Sequence, residues 1–252
     1  MDRWRGRVAL VTGASSGIGA AISRQLVEAG MVVVGAARRV ERVEALSKEL
    51  KDKPGTLVAV KCDVNKDGDI ENLFSIIKKK YNGVDVCINN AGMSYNDSLL
   101  EGTPDQWREM LNVNVVALCH CTKEAVKSMR ERGVDDGHII HISSILGHKV
   151  TFLPGPHFYC ATKHAVTALT EGMLHELSAM KSNIRISAIC PGLVETEFVD
   201  KMMGKEASDH LMTSNPTLSS QDVADSVCHI LAAPKHVQIH SLIMKPVGET
   251  MM

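Results

Sequence analysis

Short apolar runs alternate with longer amphipathic stretches along nearly all of this 252-residue chain. The apolar runs are rich in Val, Ile and Ala without strict polar alternation, which is typical of strands buried on both faces of a sheet. This succession predicts an α/β fold, a single Rossmann-type, doubly wound domain with a parallel sheet. The predicted strands are residues 8–12, 31–36, 57–61, 84–89, 138–143, 184–189 and 239–244.

Two helix starts carry clear capping signals. Thr103 precedes Pro104 and is followed by Gln106, which completes a capping box, and Ser219 with Asp222 marks a second start. No repeat, low-complexity tract or Pro/Ser-rich linker interrupts the series. We therefore expect residues 1–252 to form one domain.

The charge balance excludes several classes of partner. Lys and Arg number 28 against 29 Asp and Glu, for a net charge of -1, so no basic excess exists to hold nucleic acid or an anionic membrane. The N-terminus has no signal-peptide pattern, and no apolar stretch approaches the ~20 residues of a membrane span. We expect a cytoplasmic protein.

The seven cysteines are odd in number and never in C-x-x-C spacing. Several lie in apolar runs, which predicts buried free thiols in a reducing compartment. Cys119-His120-Cys121 is the most metal-like pattern, but it lacks a second ligand pair at zinc spacing. No metal is predicted.

A glycine-rich stretch, Thr12–Gly19, lies between the first predicted strand and a helix. Glycines there permit a sharp turn and a close approach of backbone N–H groups to a pyrophosphate, which the helix N-terminus also favours. A tight turn without a ligand is the alternative. The predicted contacts are Gly13, Ser15, Ser16, Gly17, Ile18 and Gly19.

The end of the second strand bears on which cofactor is bound. NAD-binding chains usually carry an acid there, whereas this chain has Arg38 and Arg39. Two guanidinium groups can bind a 2′-phosphate, so the sequence favours NADP(H); solvated surface charge is the alternative. The next two strand ends predict further contacts through Asp63, Val64, Asn90, Ala91 and Gly92.

Tyr159 and Lys163 lie four residues apart, on one face of a predicted helix. An ammonium near a phenol stabilises the phenolate and brings the phenol pKa towards the range that acid–base catalysis needs. Ser144, at the end of the preceding strand, could bind the same substrate oxygen or merely cap the strand. Asn114, in an apolar helical pattern, is either a satisfied core residue or part of a proton path.

These motifs together, with the run Pro191–Thr196, resemble the short-chain dehydrogenase/reductase family. The resemblance implies seven parallel strands and four catalytic residues. Tyr159 would be the general acid/base, and Lys163 would lower the pKa of Tyr159 and hold the nicotinamide ribose. Ser144 would orient the substrate oxygen, and Asn114 would anchor a water of the proton relay. Tyr159 and Lys163 would thus also contact the cofactor. Further cofactor contacts implied near the nicotinamide are Pro191, Gly192, Val194 and Thr196.

Four segments narrow the resemblance: Asp2–Arg5, Arg38–Glu41, Val134–His138 and His157–Tyr159. They resemble the insect farnesol dehydrogenases, a group similar to a vertebrate cytosolic ketosteroid reductase. This implies oxidation of an apolar alcohol such as farnesol with NADP+ in a homodimer or homotetramer, Ser144 and Tyr159 contacting the substrate. Ser144 lies two residues farther from Tyr159 than in many members, so its choice over Ser143 rests on close relatives. A broad carbonyl or ketosteroid reductase and a non-catalytic NADP(H)-binding regulator are the alternatives; a same-fold epimerase or dehydratase usually has a larger C-terminal region.

The stretch 193–216 is Met-rich and follows the sixth predicted strand. Long connections in compact domains are often lids, and Met adapts to irregular apolar surfaces. We expect it to cover the substrate; a surface helix packed on the core is the alternative. Phe152, Leu153 and Phe198 are the other residues that suggest an apolar pocket.

Overall fold

Seven Val-, Ile- and Ala-rich strands lie side by side in one parallel sheet, in the order β3-β2-β1-β4-β5-β6-β7. The computed structural model describes residues 1–152 and 154–249. The strands are β1 Val8–Thr12, β2 Val32–Ala37, β3 Thr56–Lys61, β4 Val86–Asn89, β5 His138–Ile142, β6 Arg185–Pro191 and β7 Ser241–Met244. The predicted fold class is confirmed, with strand boundaries that differ by at most two residues from the predicted ones.

Helices cover both faces of this sheet. They are α1 Gly17–Glu28, α2 Val40–Glu49, α3 Asp67–Tyr81, α4 Pro104–Leu111, α5 Ala117–Glu131, α6 His157–Ala179, α7 Glu197–Met203, α8 Lys205–Ser214 and α9 Ser220–Ala232. Apolar residues of α1, α2 and α9 pack on one face, and those of α3, α5 and α6 pack on the other. Burial on both faces explains why the strands read as continuous apolar runs.

The strand order changes direction at β1: β2 and β3 are added on one side of β1, and β4 to β7 follow on the other side. β1 pairs with β2 on one side and with β4 on the other, so the loops that leave β1 and β4 separate and open a crevice at the carboxyl edge. This crevice is where ligands bind in open sheets of this type. The topology therefore predicts a ligand site between the segments that follow these strands.

Both predicted helix starts are confirmed, and each has a capping box. Thr103 accepts a hydrogen bond from the backbone of Gln106 and Pro104 opens α4, while Ser219 and Asp222 make the equivalent pair of bonds at α9. Between α4 and α5 the chain forms one π-helical turn, Asn112–Val116. Such turns widen the backbone and are frequent at functional sites.

The remaining sequence predictions concern thiols, metals and membranes. All seven cysteines are free, and five of them are buried. Over residues 1–152 and 154–249, no group of three or more potential ligands is placed to hold a metal ion. In the same part of the chain, no helix is long and apolar enough to cross a membrane.

Candidate functional site

A cavity of about 620 Å³ opens at the carboxyl edge of the sheet, across the β1/β4 crevice. Every predicted site residue except Asn114 lines it. These residues are Gly13, Ser15, Ser16, Gly17, Ile18, Gly19, Arg38, Arg39, Asp63, Val64, Asn90, Ala91, Gly92, Ser144, Tyr159, Lys163, Pro191, Gly192, Val194 and Thr196. Residues from seven chain segments thus converge on one space, although the glycine loop and the Tyr159/Lys163 pair are at least 140 residues apart in the sequence.

The loop between β1 and α1 depends on glycine for both its turn and its contacts. Gly13 and Gly17 have φ angles of +70° and +53°, a region that favours glycine. A Cβ atom on Gly19 would lie 2.5 Å from Nδ2 of Asn90 and would also collide with the carbonyl oxygen of Gly13. The loop therefore packs closely against itself and against Asn90, with no room for a side chain at Gly19.

The N-terminus of α1 is prepared for an anion. Ser16 is its N-cap residue, yet its side chain makes no capping hydrogen bond within the described chain, unlike Thr103 and Ser219 at α4 and α9. The Ser16 hydroxyl instead accepts a 2.9 Å hydrogen bond from Arg39. Uncapped N–H groups at the positive end of a helix dipole fit a phosphate group.

Asn90 ties this loop to the end of β4. Its Nδ2 atom donates to the carbonyl oxygens of Thr12, at 2.9 Å, and of Gly13, at 3.3 Å. The backbone N–H groups of Asn90 and Ala91 both donate to the Thr12 hydroxyl at 3.1 Å. The two strand ends on either side of the crevice are thereby held at a defined separation.

The two arginines after β2 differ in their surroundings. Arg38 is exposed at the cavity rim, whereas Arg39 is half-buried. Arg39 donates to Ser16 at 2.9 Å and to Glu197, the first residue of α7, also at 2.9 Å. Arg42 reaches the same carboxylate at 2.6 Å. Sequence reasoning missed Glu197 and Arg42, because no local pattern connects α7 with the start of α2.

The wall below the arginines comes from the segment after β3. Asp63 and Val64 line the cavity as predicted. The Asp63 side chain accepts a 3.1 Å hydrogen bond from the backbone of Asn65, and its own N–H donates to Asp69 at 2.9 Å. These bonds hold the segment in a turn whose carboxylate and apolar side chain both reach the cavity.

Tyr159 lies at the inner end of the cavity, near the start of α6, with only 9% of its surface exposed. Burial raises the pKa of its phenol above the ordinary value, and a hydrogen bond with Ser144 offsets only part of that rise. The Ser144 hydroxyl also accepts a 3.1 Å bond from the backbone of Leu146, which fixes its orientation. The structure thus brings Ser144 to the phenol, and the phenol is protonated at neutral pH.

Lys163 lies one helical turn beyond Tyr159, and its Nζ atom is 5.6 Å from the centre of the phenol ring. It donates a 2.9 Å hydrogen bond to the carbonyl oxygen of Ile142. Burial lowers the pKa of this ammonium to about 8. The family resemblance implies a phenol pKa lowered by the ammonium; here burial dominates at both groups and favours their neutral forms.

Asn114 lies behind the cavity wall, in the π-helical turn. Its Oδ1 atom accepts from the backbone N–H of Met93, and its Nδ2 atom donates to the Met93 carbonyl oxygen, both at 2.9 Å. Nδ2 also donates to Thr162, three residues after Tyr159, at 3.0 Å. The amide therefore links the segment after β4 to α6 and is fully satisfied where it is buried.

Apolar side chains form the wall of the cavity beside Tyr159. The segment 193–216 forms α7 and α8, and Phe198 of α7 lies with its ring centre 5.6 Å from that of Tyr159. Met202, Met203 and Leu211 of this segment also line the cavity.

Phe152 does not line the cavity, because its side chain is fully exposed, and Leu153 lies outside the described residues. The sequence interpretation was wrong for Phe152. Lining residues that it did not single out include Met93, Tyr95 and Leu146.

Comparisons with known proteins show the family and the fold that this chain shares. Residues 7–207 match the family model described as short chain dehydrogenase. The Homo sapiens protein named dehydrogenase/reductase SDR family member 11 is 50% identical over 250 residues, 98% of this chain and 96% of that protein. Farnesol dehydrogenase of Aedes aegypti is 49% identical over 252 residues, 99% of each. The solved closed form of a serine dehydrogenase complexed with NADP+ superimposes with a TM-score of 0.87 at 30% identity, covering 96% of each chain.

Proposed function

The chain belongs to the short-chain dehydrogenase/reductase family, and we propose that it is an NADP(H)-dependent enzyme that interconverts an apolar alcohol with its aldehyde or ketone. The observation that carries this proposal is the position of Tyr159, bonded to Ser144 at the inner end of a cavity whose other end is a glycine loop with an uncapped helix N-terminus. One space can therefore hold a dinucleotide and a small carbonyl compound together.

NADP(H), when bound, supplies or accepts the hydride. Ser144 orients the substrate oxygen, and Tyr159 donates its proton to that oxygen in reduction or accepts it in oxidation. A phenol held protonated by burial is ready to act as the acid in the reductive direction. Lys163 places a positive charge beside it and is anchored by the Ile142 carbonyl. Asn114 holds the backbone of Met93 and the start of α6 in place. Its proposed further role is to anchor the water of a proton relay.

The choice of NADP(H) over NAD(H) rests on the end of β2. Arg38 and Arg39 line the cavity, and no carboxylate of β2 itself stands beside them to repel a 2′-phosphate. Arg39 already lies against the glycine loop through Ser16. We assign the remaining predicted cofactor contacts to the segments after β3, β4 and β6.

The proposed substrate is an apolar alcohol such as farnesol. Phe198 and the methionines of α7 provide an apolar wall that suits an alkyl or isoprenoid chain. The similarity to the Aedes farnesol dehydrogenase supports the same choice. We propose that residues 193–216 cover the substrate, and that the protein is cytoplasmic and a homodimer or homotetramer.

Steady-state kinetics test this proposal directly. We expect NADP+-dependent oxidation of farnesol, with shorter aliphatic alcohols and steroid alcohols as the comparison panel. A kcat/KM for NADP+ at least about tenfold above that for NAD+ is expected, since a bidentate arginine–phosphate contact is strong. Equal use of both cofactors would contradict the cofactor assignment. Preferential turnover of a steroid or a small ketone would contradict the farnesol assignment and leave the enzyme class intact.

A further inference from the structure

The carboxylate of Glu197 lies among three cationic side chains at the cofactor end of the cavity. Its two oxygens are 2.9 Å from Arg39 and 2.6 Å from Arg42, and Lys201 approaches to 3.7 Å. The hydrogen bonds from Arg42 and Arg39 lower the pKa of Glu197 to about 2, so the carboxylate is charged at every physiological pH. Glu197 and Lys201 also line the cavity.

The guanidinium donors that hold Glu197 are of the kind that bind phosphate oxygens. Arg39 is one of the two arginines assigned above to the 2′-phosphate, and Arg42 lies three residues later, in the first turn of α2. A phosphate and a carboxylate accept the same bidentate bonds from arginine. The two anions cannot use the same N–H donors at once, so they compete for them.

We propose that Glu197 is a specificity-determining residue that competes with the 2′-phosphate of NADP(H) for Arg39 and Arg42. The inference rests on the proposed NADP(H) function. It adds Arg42 to the phosphate-binding residues and makes release of Glu197 part of NADP(H) binding. NAD(H), which has no 2′-phosphate, binds without this displacement.

The phosphate prevails because it carries a charge of about −1.5 to −2 and three strong acceptor oxygens, against one charge on the carboxylate. The ion pairs of Glu197 are partly exposed, with 41% of its side-chain surface accessible, and pairs of this kind are individually weak. Glu197 therefore weakens NADP(H) binding by a modest factor and does not prevent it. Since Glu197 begins α7, the same exchange connects phosphate binding with the segment that covers the substrate.

Equilibrium titrations of the full chain with NADP+ and with NAD+ test the proposal, with Glu197→Gln as the central variant. Removal of the competing charge should tighten NADP+ binding about three- to tenfold while NAD+ binding stays within about twofold. Asp200→Asn is the matched control: it removes a charge from the same helix, and Asp200 has no ion pair with an arginine among residues 1–152 and 154–249. Arg42→Ala should weaken NADP+ binding selectively.

Three results separate this inference from the proposed function. If the wild-type protein prefers NADP+ and Glu197→Gln leaves that preference unchanged, the inference is overturned and the cofactor assignment stands. If neither protein distinguishes NADP+ from NAD+, both are overturned. An equal gain for both cofactors also overturns the inference, because only the 2′-phosphate competes with Glu197.

Discussion

The Nζ atom of Lys163 donates a 2.9 Å hydrogen bond to the carbonyl oxygen of Ile142, the last residue of β5. This bond joins α6 to the strand end that leads into Ser144. The bond also satisfies the ammonium of Lys163, a residue that is only 5% exposed. The Nζ atom lies 5.6 Å from the centre of the Tyr159 ring. The proposed acid, the charge beside it and the serine that orients the substrate are thus held by one helix–strand contact.

Lys163→Met should remove the charge and leave the Ile142 carbonyl without its donor. We expect kcat/KM to fall about 10²- to 10⁴-fold, the range for loss of an acid–base group. The free energy of unfolding should fall by roughly 1–3 kcal/mol, because a buried carbonyl loses its donor. Kinetics and thermal unfolding measure the two effects. Lys149→Met, at an exposed position, is the control and should leave both unchanged.

Tyr159→Phe removes one hydroxyl and preserves the ring that packs against Phe198. We expect kcat to fall about 10²- to 10⁴-fold while the NADP+ dissociation constant stays within about threefold, because the loss affects proton transfer. Tyr81→Phe, at the end of α3 and away from the cavity, should behave as the wild type. Wild-type turnover by Tyr159→Phe with bound cofactor would exclude the proposed mechanism.

Asn114→Ala should disrupt the wall behind the cavity. The buried amide makes two 2.9 Å bonds to the backbone of Met93 and one to Thr162, so its removal leaves several polar groups unpaired. We expect a loss of roughly 2–4 kcal/mol in the free energy of unfolding, with reduced kcat in the protein that remains folded. Asn112→Ala, an exposed residue of the same π-helical turn, should cost far less in a denaturant titration.

Gly19→Ala should weaken cofactor binding, because the added Cβ would collide with Gly13 and Asn90 and push the loop apart. We expect NADP+ affinity to fall at least about tenfold, since a small displacement of preorganised N–H donors is costly. Gly172→Ala provides the contrast: it is exposed within α6, and a Cβ there meets nothing within 4 Å. That variant should be stabilised by up to about 1 kcal/mol with unchanged affinity.

His141 predicts a dependence of stability on pH. Burial lowers its pKa from 6.5 to about 3, and its ring nitrogens bond to Thr122 at 3.2 Å and Thr170 at 2.9 Å. Below pH 6.5 the unfolded chain binds a proton that the folded chain does not, so stability falls as pH falls. The expected loss is about 1.4 kcal/mol per such histidine between neutral pH and pH 5.5.

Buried His138, whose pKa is also lowered by burial, adds to this loss in the same direction. The measurement is thermal unfolding between pH 7.5 and 5.5. His141→Gln should flatten the profile, whereas His175→Gln, at an exposed position, should keep the wild-type slope. An unchanged slope in His141→Gln would show that the buried imidazole is not its source.

Local sequence signals determined the strands, the capped helix starts and the glycine loop. Each depends on residues within a few positions of one another: apolar runs that need burial on both faces, Thr103 with Gln106, and Gly13, Gly17 and Gly19 in one turn. The spacing of Tyr159 and Lys163 likewise places both on one face of α6 whatever the rest of the chain does. Of the site residues predicted from such signals, only Asn114 does not line the cavity.

Tertiary structure decided the rest, because burial and long-range contacts depend on which segments meet. Glu197 lies between Arg39 and Arg42 only because α7 crosses the carboxyl edge of the sheet, and no local pattern announces that contact. Phe152 and Phe198 are equally apolar, yet only Phe198 packs against Tyr159. The spacing of Tyr159 and Lys163 predicted a lowered pKa for the phenol, whereas the folded chain buries Tyr159 deeply enough to raise that pKa. Local sequence identified the site residues, and the fold determined how far each side chain is exposed to solvent and which residues it contacts.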